Sequence, residues 1–254
     1  MTTVLTSQRK QLILDALKRD GQVIARTLSV EFDVSEDTIR RDLRELAAEG
    51  QLQRVHGGAL PASPAAVDFA GRERIESASK AAIGRAAAGM IARGQIAFID
   101  GGTTAVQLAR HLPRDLRATI VTHSPSIAVE LAEHAELEVI MIGGRLFRHS
   151  MVNVGAAAIE SLSHIRADFY FMGVTGVHPQ AGLSTGDMEE AYVKRALAEH
   201  AAETVVLASA EKLNAASAYK IADVSAAGTI VVERNTPEVL TTPFEALGIT
   251  ILRA

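Results

Sequence analysis

Between residues 96 and 252 the chain repeats one pattern: a short apolar run, a break rich in glycine or hydroxyl residues, then a stretch with helical spacing. The runs Ile96–Ile99, Ala118–Thr122, Glu138–Ile142, Asp168–Met172, Thr204–Ala208, Thr229–Val232 and Ile249–Leu252 read as strands. Strands alternating with helices predict an α/β domain with a largely parallel sheet covered on both faces. Aromatic residues make up only 4% of the chain and Trp is absent, so the core must be aliphatic; with 48% apolar residues it can be large. The last segment, Thr236 to Ala254, is expected to complete the sheet with one helix and one strand.

Ligands of such sheets bind beyond the carboxyl ends of the strands. The informative residues should therefore sit in the breaks. After the first run comes Asp100-Gly101-Gly102-Thr103-Thr104, opening a helix at Ala105. Two glycines let backbone approach an anion, the helix start supplies free N–H groups and a positive dipole end, and the threonines add donors. This has the composition of a phosphate cradle, but it is not a nucleotide P-loop, since no Gly-Lys-Ser/Thr follows. The later breaks are Thr122-His123-Ser124-Pro125, then Gly143-Gly144-Arg145, then Gly173-Val174-Thr175-Gly176-Val177. Gly182 to Asp187 leads into a helix with Glu189, Glu190 and Lys194, and Ala210-Glu211-Lys212 offers a cation. Each has a purely structural explanation. Asp187 and Glu190 have the spacing of a capping box, Glu190 and Lys194 that of a favourable helix pair, and Lys212 could be a surface lysine. Their convergence on one side of a parallel sheet is the stronger observation.

The first 60 residues follow a different plan. Ser7 to Arg19 and Val23 to Phe32 are expected helices, separated by Asp20-Gly21; Asp33-Val34 makes a tight turn. Ser35 caps a third helix, in which Ile39, Leu43 and Leu46 form the buried stripe. At about 100° per residue Asp37, Thr38, Arg41, Arg44 and Ala48 point away from it, with Arg40 on the flank. Helix, tight turn and basic helix is the helix-turn-helix arrangement, whose second helix enters the major groove. Gly50 ends the helix, and Gln51–Val55 with Ala59-Leu60 can pair around His56-Gly57-Gly58 as a wing. Arg54 and His56 would then meet phosphate or minor groove. Taken alone, the arginine-rich helix also fits a solvated face with pairs such as Arg41–Glu45.

The formal net charge of −4 rules out a nonspecific polyanion binder, so DNA contact must rest on a local patch. Residues 1–60 carry nine basic and nine acidic side chains, and the remainder accounts for the whole deficit. The absence of Cys excludes disulfides and thiolate chemistry and fits a reducing cytoplasm. The eight His show no close H-x-H or H-x₃-H spacing, and neither a signal peptide nor a membrane span is expected. Neither metal nor cofactor is expected.

The run from Gln8 to Ala59, with V-S-E-D-T-I-R-R-D-L-R-E-L followed by G-Q-L-Q-R-V-H-G-G-A, resembles the winged helix-turn-helix of the DeoR family of bacterial sugar-metabolism regulators. The resemblance continues to about Glu233 through DGGTT, THS, IGGRL, FMGVTGV, GLSTGDMEEAYVKRA and the lysine at 212. It implies a transcriptional regulator, usually a repressor, that reads operator DNA through Ser35, Thr38, Arg40, Arg41, Arg44, Arg54 and His56. It implies a second domain similar in fold to ribose-5-phosphate isomerase and coenzyme A transferases, binding a phosphorylated sugar. By carry-over Asp100, Gly101, Gly102, Thr103 and Thr104 hold phosphate or sugar hydroxyls, and Thr122, His123, Ser124, Gly143, Gly144, Thr175 and Lys212 line the same pocket. The expected division is residues 1–60, a connector at 61–77 and a sensor at 78–254, with a homodimer or homotetramer matched to a symmetric operator. His123, Thr175 and the basic segment Arg145 to His149 depart from the family's usual residues, so the class of ligand transfers better than its identity. The alternative is a sugar-phosphate isomerase-like enzyme with an accessory DNA module. It would need a general base, and among the candidates Gly173–Val177 has no acid, which leaves Glu189 and Glu190.

Overall fold

The computed structural model describes residues 5–62, 69, 71 and 77–254. Most of the expected connector, including Arg72 and Arg74, lies outside them. The N-terminal elements are α1 (Thr6–Asp20), β1 (Val23–Ile24), α2 (Ala25–Glu31), α3 (Glu36–Ala48), β2 (Leu52–Val55) and β3 (Gly58–Pro61). The Ser35 side chain accepts from the Thr38 N–H at 3.1 Å, and Glu36 and Asp37 in the first turn complement the helix dipole. Ile13, Leu17, Leu28, Ile39, Leu43, Leu46 and Leu52 form one buried cluster. The stripe expected on the third helix is the one that is buried.

One expected element is corrected. Val23 and Ile24, read as the start of the second helix, form a strand antiparallel to β3, pairing Val23 with Ala59 and Ile24 with Gly58. Both side chains are β-branched and favour extended backbone. Gly58 makes the approach possible, because a Cβ there would lie 1.9 Å from the Val23 carbonyl oxygen. The wing is therefore the edge of a three-stranded sheet ordered β1-β3-β2 rather than a free hairpin.

The second part opens with α4 (Ser77–Ala88) and is built on β4 (Ile96–Ile99), β5 (Thr119–Thr122), β6 (Glu138–Met141), β9 (Ala167–Gly173), β12 (Ala201–Leu207), β14 (Thr229–Val232) and β15 (Thr250–Arg253). These are the seven expected strands, with ends shifted by up to three residues. They form one sheet, ordered β15-β14-β12-β9-β4-β5-β6, in which every pairing is parallel. Adjacent residues go to opposite faces. Phe98, Tyr170, Met172 and Val206 enter one core cluster, while Ala97, Ile99, Phe171, Val205 and Leu207 enter the other. Sidedness of this kind is what a sheet covered on both faces requires. Helices α5 (Thr103–Arg110) and α6 (Pro125–Leu131) cover one face, and α7 (Ala156–Leu162), α8 (Met188–Glu199) and α9 (Glu238–Glu245) the other.

Two small antiparallel additions were not expected: a hairpin of β7 (Arg145–Phe147) and β8 (Val152–Val154), and a sheet of β10 (Gly176–His178), β11 (Gly182–Thr185) and β13 (Tyr219–Ala222). These strands hold three or four residues each, too short for an alternating pattern to stand out, so they carry little strand signal. Both border the carboxyl ends of the large sheet.

Candidate functional site

On α3, Arg40, Arg41 and Arg44 are exposed, as are Arg54 and His56 on the wing. Arg40 pairs with Glu36 at 2.7 Å and Arg41 with Glu45 at 3.2 Å. Exposed pairs of this kind are worth about 0–1 kcal/mol and yield readily to a phosphate or base. Arg44, Arg54 and His56 form no ion pair among the described residues. Arg40 and Arg54 line one small cleft between α3 and the wing, with Leu43, Gly57 and Gly58. Arg41 and Arg44 lie outside that cleft's lining. Ser35 and Thr38 share a hydroxyl contact at 2.8 Å, so Ser35 is committed to the cap.

Asp42 was missed. It is buried, and Arg9 of α1 donates to it from Nε at 2.5 Å and from Nη2 at 3.1 Å. The pair ties α3 to α1. The signal was available: position 42 is three residues after Ile39 and four before Leu46, on the buried stripe.

In the second part, Asp100 ends β4 and is fully buried. Its Oδ1 accepts from the Gly101 N–H at 2.7 Å and faces His123 Nε2 at 2.8 Å. Its Oδ2 accepts from Tyr170 at 3.0 Å, from the Gly173 N–H at 2.9 Å and from Lys194 Nζ. Burial pushes this carboxyl up, but Lys194 and His123 outweigh it and hold it well below the usual range. Burial lowers the Lys194 amine, yet Asp100 and Glu190 leave it raised. Burial and Asp100 push the Tyr170 phenol well up. Glu190 completes the cluster, accepting from Thr185 at 2.7 Å and lying 3.4 Å from Lys194. Asp100 is thus occupied by its own protein: it pins the first loop instead of presenting an oxygen to the crevice.

Above it the backbone is unusually close-set. A Cβ at Gly101 would lie 2.1 Å from Val152 Cγ1, and Gly102 has φ +103°, so both positions need glycine. Thr103 and Thr104 follow at the start of α5, both buried, and Thr104 Oγ1 has no hydrogen-bond partner among the described residues. In the second loop, the Thr122 hydroxyl accepts from the Ser124 N–H at 3.1 Å, His123 Nδ1 meets the Asn153 carbonyl at 2.9 Å, and Ser124 donates to the Met151 carbonyl at 2.8 Å. The β7–β8 hairpin thereby closes over both loops. Gly143 and Gly144 lead exposed into that hairpin. Thr175 meets Ser217 Oγ at 2.7 Å, and Lys212 ends a short 3₁₀ turn after β12, half-buried. The expected strand-end residues do gather at the carboxyl ends of β4, β5, β9 and β12.

Sequence reasoning missed Tyr170, Asn153 and Ser217, and it read Lys194 only as a favourable helix pair with Glu190. The pair exists, and Asp187 does cap the Glu190 N–H at 2.9 Å, but both members are buried. Glu190, Val193, Lys194 and Leu197 share one helical face, and that spacing marks Lys194 as inward.

Two family models match the chain: a DeoR-like helix-turn-helix domain over residues 9–64 and a DeoR C terminal sensor domain over residues 75–234. The chain belongs to the DeoR family. This DeoR protein is 31% identical to the HTH-type transcriptional regulator GlpR of Haloferax volcanii, over 98% of each chain. It is 31% identical to the HTH-type transcriptional repressor GlcR of Bacillus subtilis, over 89% of this chain and 88% of that one. With the glycerol-3-phosphate regulon repressor of Escherichia coli the identity is 30%, over 91% and 92%. The DeoR protein is accordingly a DNA-binding transcriptional regulator. Among solved structures, ribose 5-phosphate isomerase A from Methanocaldococcus jannaschii aligns with 52% of each chain at a TM-score of 0.39 and 17% identity, a likeness that decides nothing about function. Among the described residues no helix is long and apolar enough to cross a membrane, and no His, Asp and Glu cluster is arranged to hold a metal.

Proposed function

We propose that this DeoR protein is a cytoplasmic repressor of a carbohydrate operon, divided at residues 1–60, 61–77 and 78–254, whose operator affinity responds to a phosphorylated sugar. Thr38, Arg41 and Arg44 read base edges, while Arg40, Arg54 and His56 hold the backbone, with Ser35 fixing the start of the helix. The charge-balanced N-terminal part binds weakly as one head, so the protein acts as a homodimer or homotetramer on a symmetric operator. The phosphate lies against Gly101 to Thr104 at the start of α5, with Thr122 to Ser124, Gly143, Gly144, Thr175 and Lys212 around the sugar. Asp100 positions that loop from below.

The observation that carries the effector reading is the Thr104 hydroxyl: buried, unpartnered, and next to a glycine-formed helix start. A buried polar group without a partner costs about 1–3 kcal/mol, and an anion at the helix start would satisfy it. The relative named for the glycerol-3-phosphate regulon supports the same ligand class.

Catalysis is not part of the proposal. Of the carboxylates available as a base, Glu190 is buried against Thr185 and Lys194, and Glu189 is paired with Arg145. A mobility-shift assay titrated with hexose, pentose and triose phosphates tests the reading; operator affinity unaffected by all of them would sink the effector claim. Turnover of pentose or hexose phosphates abolished by Glu190→Gln would establish an isomerase instead.

A further inference from the structure

The wing touches the second part of the molecule at a defined place. The Pro61 carbonyl, at the end of β3, accepts from the Ala216 N–H at 3.3 Å, and Ala62 forms a parallel bridge with Ala216. Ala216 lies in Leu213–Ser217, which begins one residue after Lys212, and Leu213, Ala215 and Ala216 are buried. Leu213 bridges Val177, and the Ala215 carbonyl runs so close to Gly176 that a Cβ there would lie 2.6 Å from its oxygen. The Ser217 N–H donates to Ser184 Oγ at 3.0 Å, and the Ser217 hydroxyl meets Thr175 Oγ1 at 2.7 Å. A short stretch of chain thus runs from one proposed ligand contact, Lys212, to the end of the wing, and a second, Thr175, is hydrogen-bonded to it through Ser217.

We propose that Leu213–Ser217 is the physical link through which the strand-end crevice acts on the DNA-binding wing. The proposal rests on the reading of that crevice as an anion site. Thr175 has one hydroxyl proton, placed at present between Ser217 Oγ and the Ser184 carbonyl. A phosphate oxygen above the end of β9 takes that proton as its own hydrogen bond and draws on Lys212. The Ser217 hydroxyl then no longer accepts from Thr175 and must reorient, and Ala216, next in the chain, shifts against Pro61. The ligand therefore binds one arrangement better than the other, which any ligand-driven change requires. The wing leaves its position beside α3, separating Arg54 from Arg40, and operator affinity changes. Control enters through Pro61 and Ala62, where the wing passes into the 61–77 connector.

The cysteine-free chain permits a clean test in the full-length protein. Bridge partners in a sheet stand within the Cα separation of about 4.4–6.8 Å that a disulfide spans, so Ala62→Cys with Ala216→Cys can be locked by mild oxidation. The DNA probe is a duplex selected by the wild-type chain from a random pool, and the ligands are inorganic phosphate, glycerol 3-phosphate and glucose 6-phosphate. The expected result is that the oxidised protein binds the ligand that wild type binds, while its DNA affinity no longer responds; reduction restores the response. A locked protein that responds as fully as the reduced one, or a pair that does not oxidise, overturns the proposal. Ser217→Ala without ligand supplies an independent arm, with an expected change in DNA Kd of about fivefold or more. A Kd within about twofold of wild type, with the fold intact by circular dichroism, also overturns it. If no phosphate compound binds wild type, the anion reading fails separately, and the Ser217→Ala result alone decides the link.

Discussion

Lys194 of α8 donates to Asp100 at the end of β4, joining two elements 94 residues apart by a buried ion pair. Tyr170, Gly173, Gly101 and His123 supply the other contacts, so the loop after β4 rests on a fixed base. Removing one member of a buried pair strands the other, typically at about 3–5 kcal/mol. Asp100→Asn should cost that much in urea unfolding and abolish phosphate binding. Lys194→Met should cost less, because four donors to Asp100 remain.

The same pair sets a pH window. The Asp100 carboxyl is depressed in the folded state, so its contribution is present above its ordinary value of 3.8 and is lost as pH falls through the lower folded value. The Lys194 amine is raised, so its contribution is present below 10.5 and is lost as pH rises through the higher folded value. The stability difference between wild type and Asp100→Asn should stay flat from about pH 5 to 9 and shrink at the acid end. A difference that varied through neutral pH would show that the pair is not what holds the loop.

Thr104→Val separates stability from binding. With its hydroxyl buried and unpartnered, Thr104 penalises the empty protein. Valine of similar shape should leave ligand-free stability unchanged or raise it by up to about 1 kcal/mol. It should weaken phosphate binding by about tenfold, read by calorimetry. Equal losses in both would mean that Thr104 is an ordinary structural residue.

The Arg9–Asp42 pair makes an opposite prediction for the DNA head. Asp42→Ala leaves the Arg9 guanidinium buried without its counterion and should destabilise the N-terminal part by about 3–5 kcal/mol, weakening all DNA binding alike. Arg9→Met with Asp42→Leu should recover most of that stability, since apolar replacement of a buried pair is often neutral. Proteolysis and operator binding of the single and double variants read this directly.

The contrast between these groups and the expected ones shows what a sequence exposes. The large sheet was legible because each strand is an apolar run long enough to stand out, and the DNA helix because Ile39, Leu43 and Leu46 repeat at helical spacing. The strand-end loops were legible as glycine and hydroxyl clusters. Asp42 and Lys194 were missed although their helical spacing sets them on buried faces, because a charged side chain there reads as solvated until its partner, distant in sequence, is known. Val23 and Ile24 were misread because their strand exists only through pairing with the wing. The strands of the β7–β8 hairpin and the β10–β11–β13 sheet are too short to announce themselves.

The division of labour on the DNA face can be measured. Arg41 and Arg44 project from α3 away from its buried stripe, whereas Arg54 shares a cleft with Arg40 beside the wing. A side chain on a base edge discriminates by about 1–3 kcal/mol per good bidentate contact, while one on phosphate adds affinity without sequence preference. Arg41→Ala should therefore lower binding to the selected duplex by about tenfold or more and leave competitor DNA nearly unchanged. Arg54→Ala should weaken both about equally and reduce the slope of log affinity against log salt by about 1. The Arg41–Glu45 contact makes Glu45→Ala a useful control, since it frees the guanidinium without removing it. If Arg41→Ala and Arg54→Ala lowered selected and competitor binding in the same proportion, helix and wing would share one role, and α3 would lie along the phosphate backbone instead of in the groove.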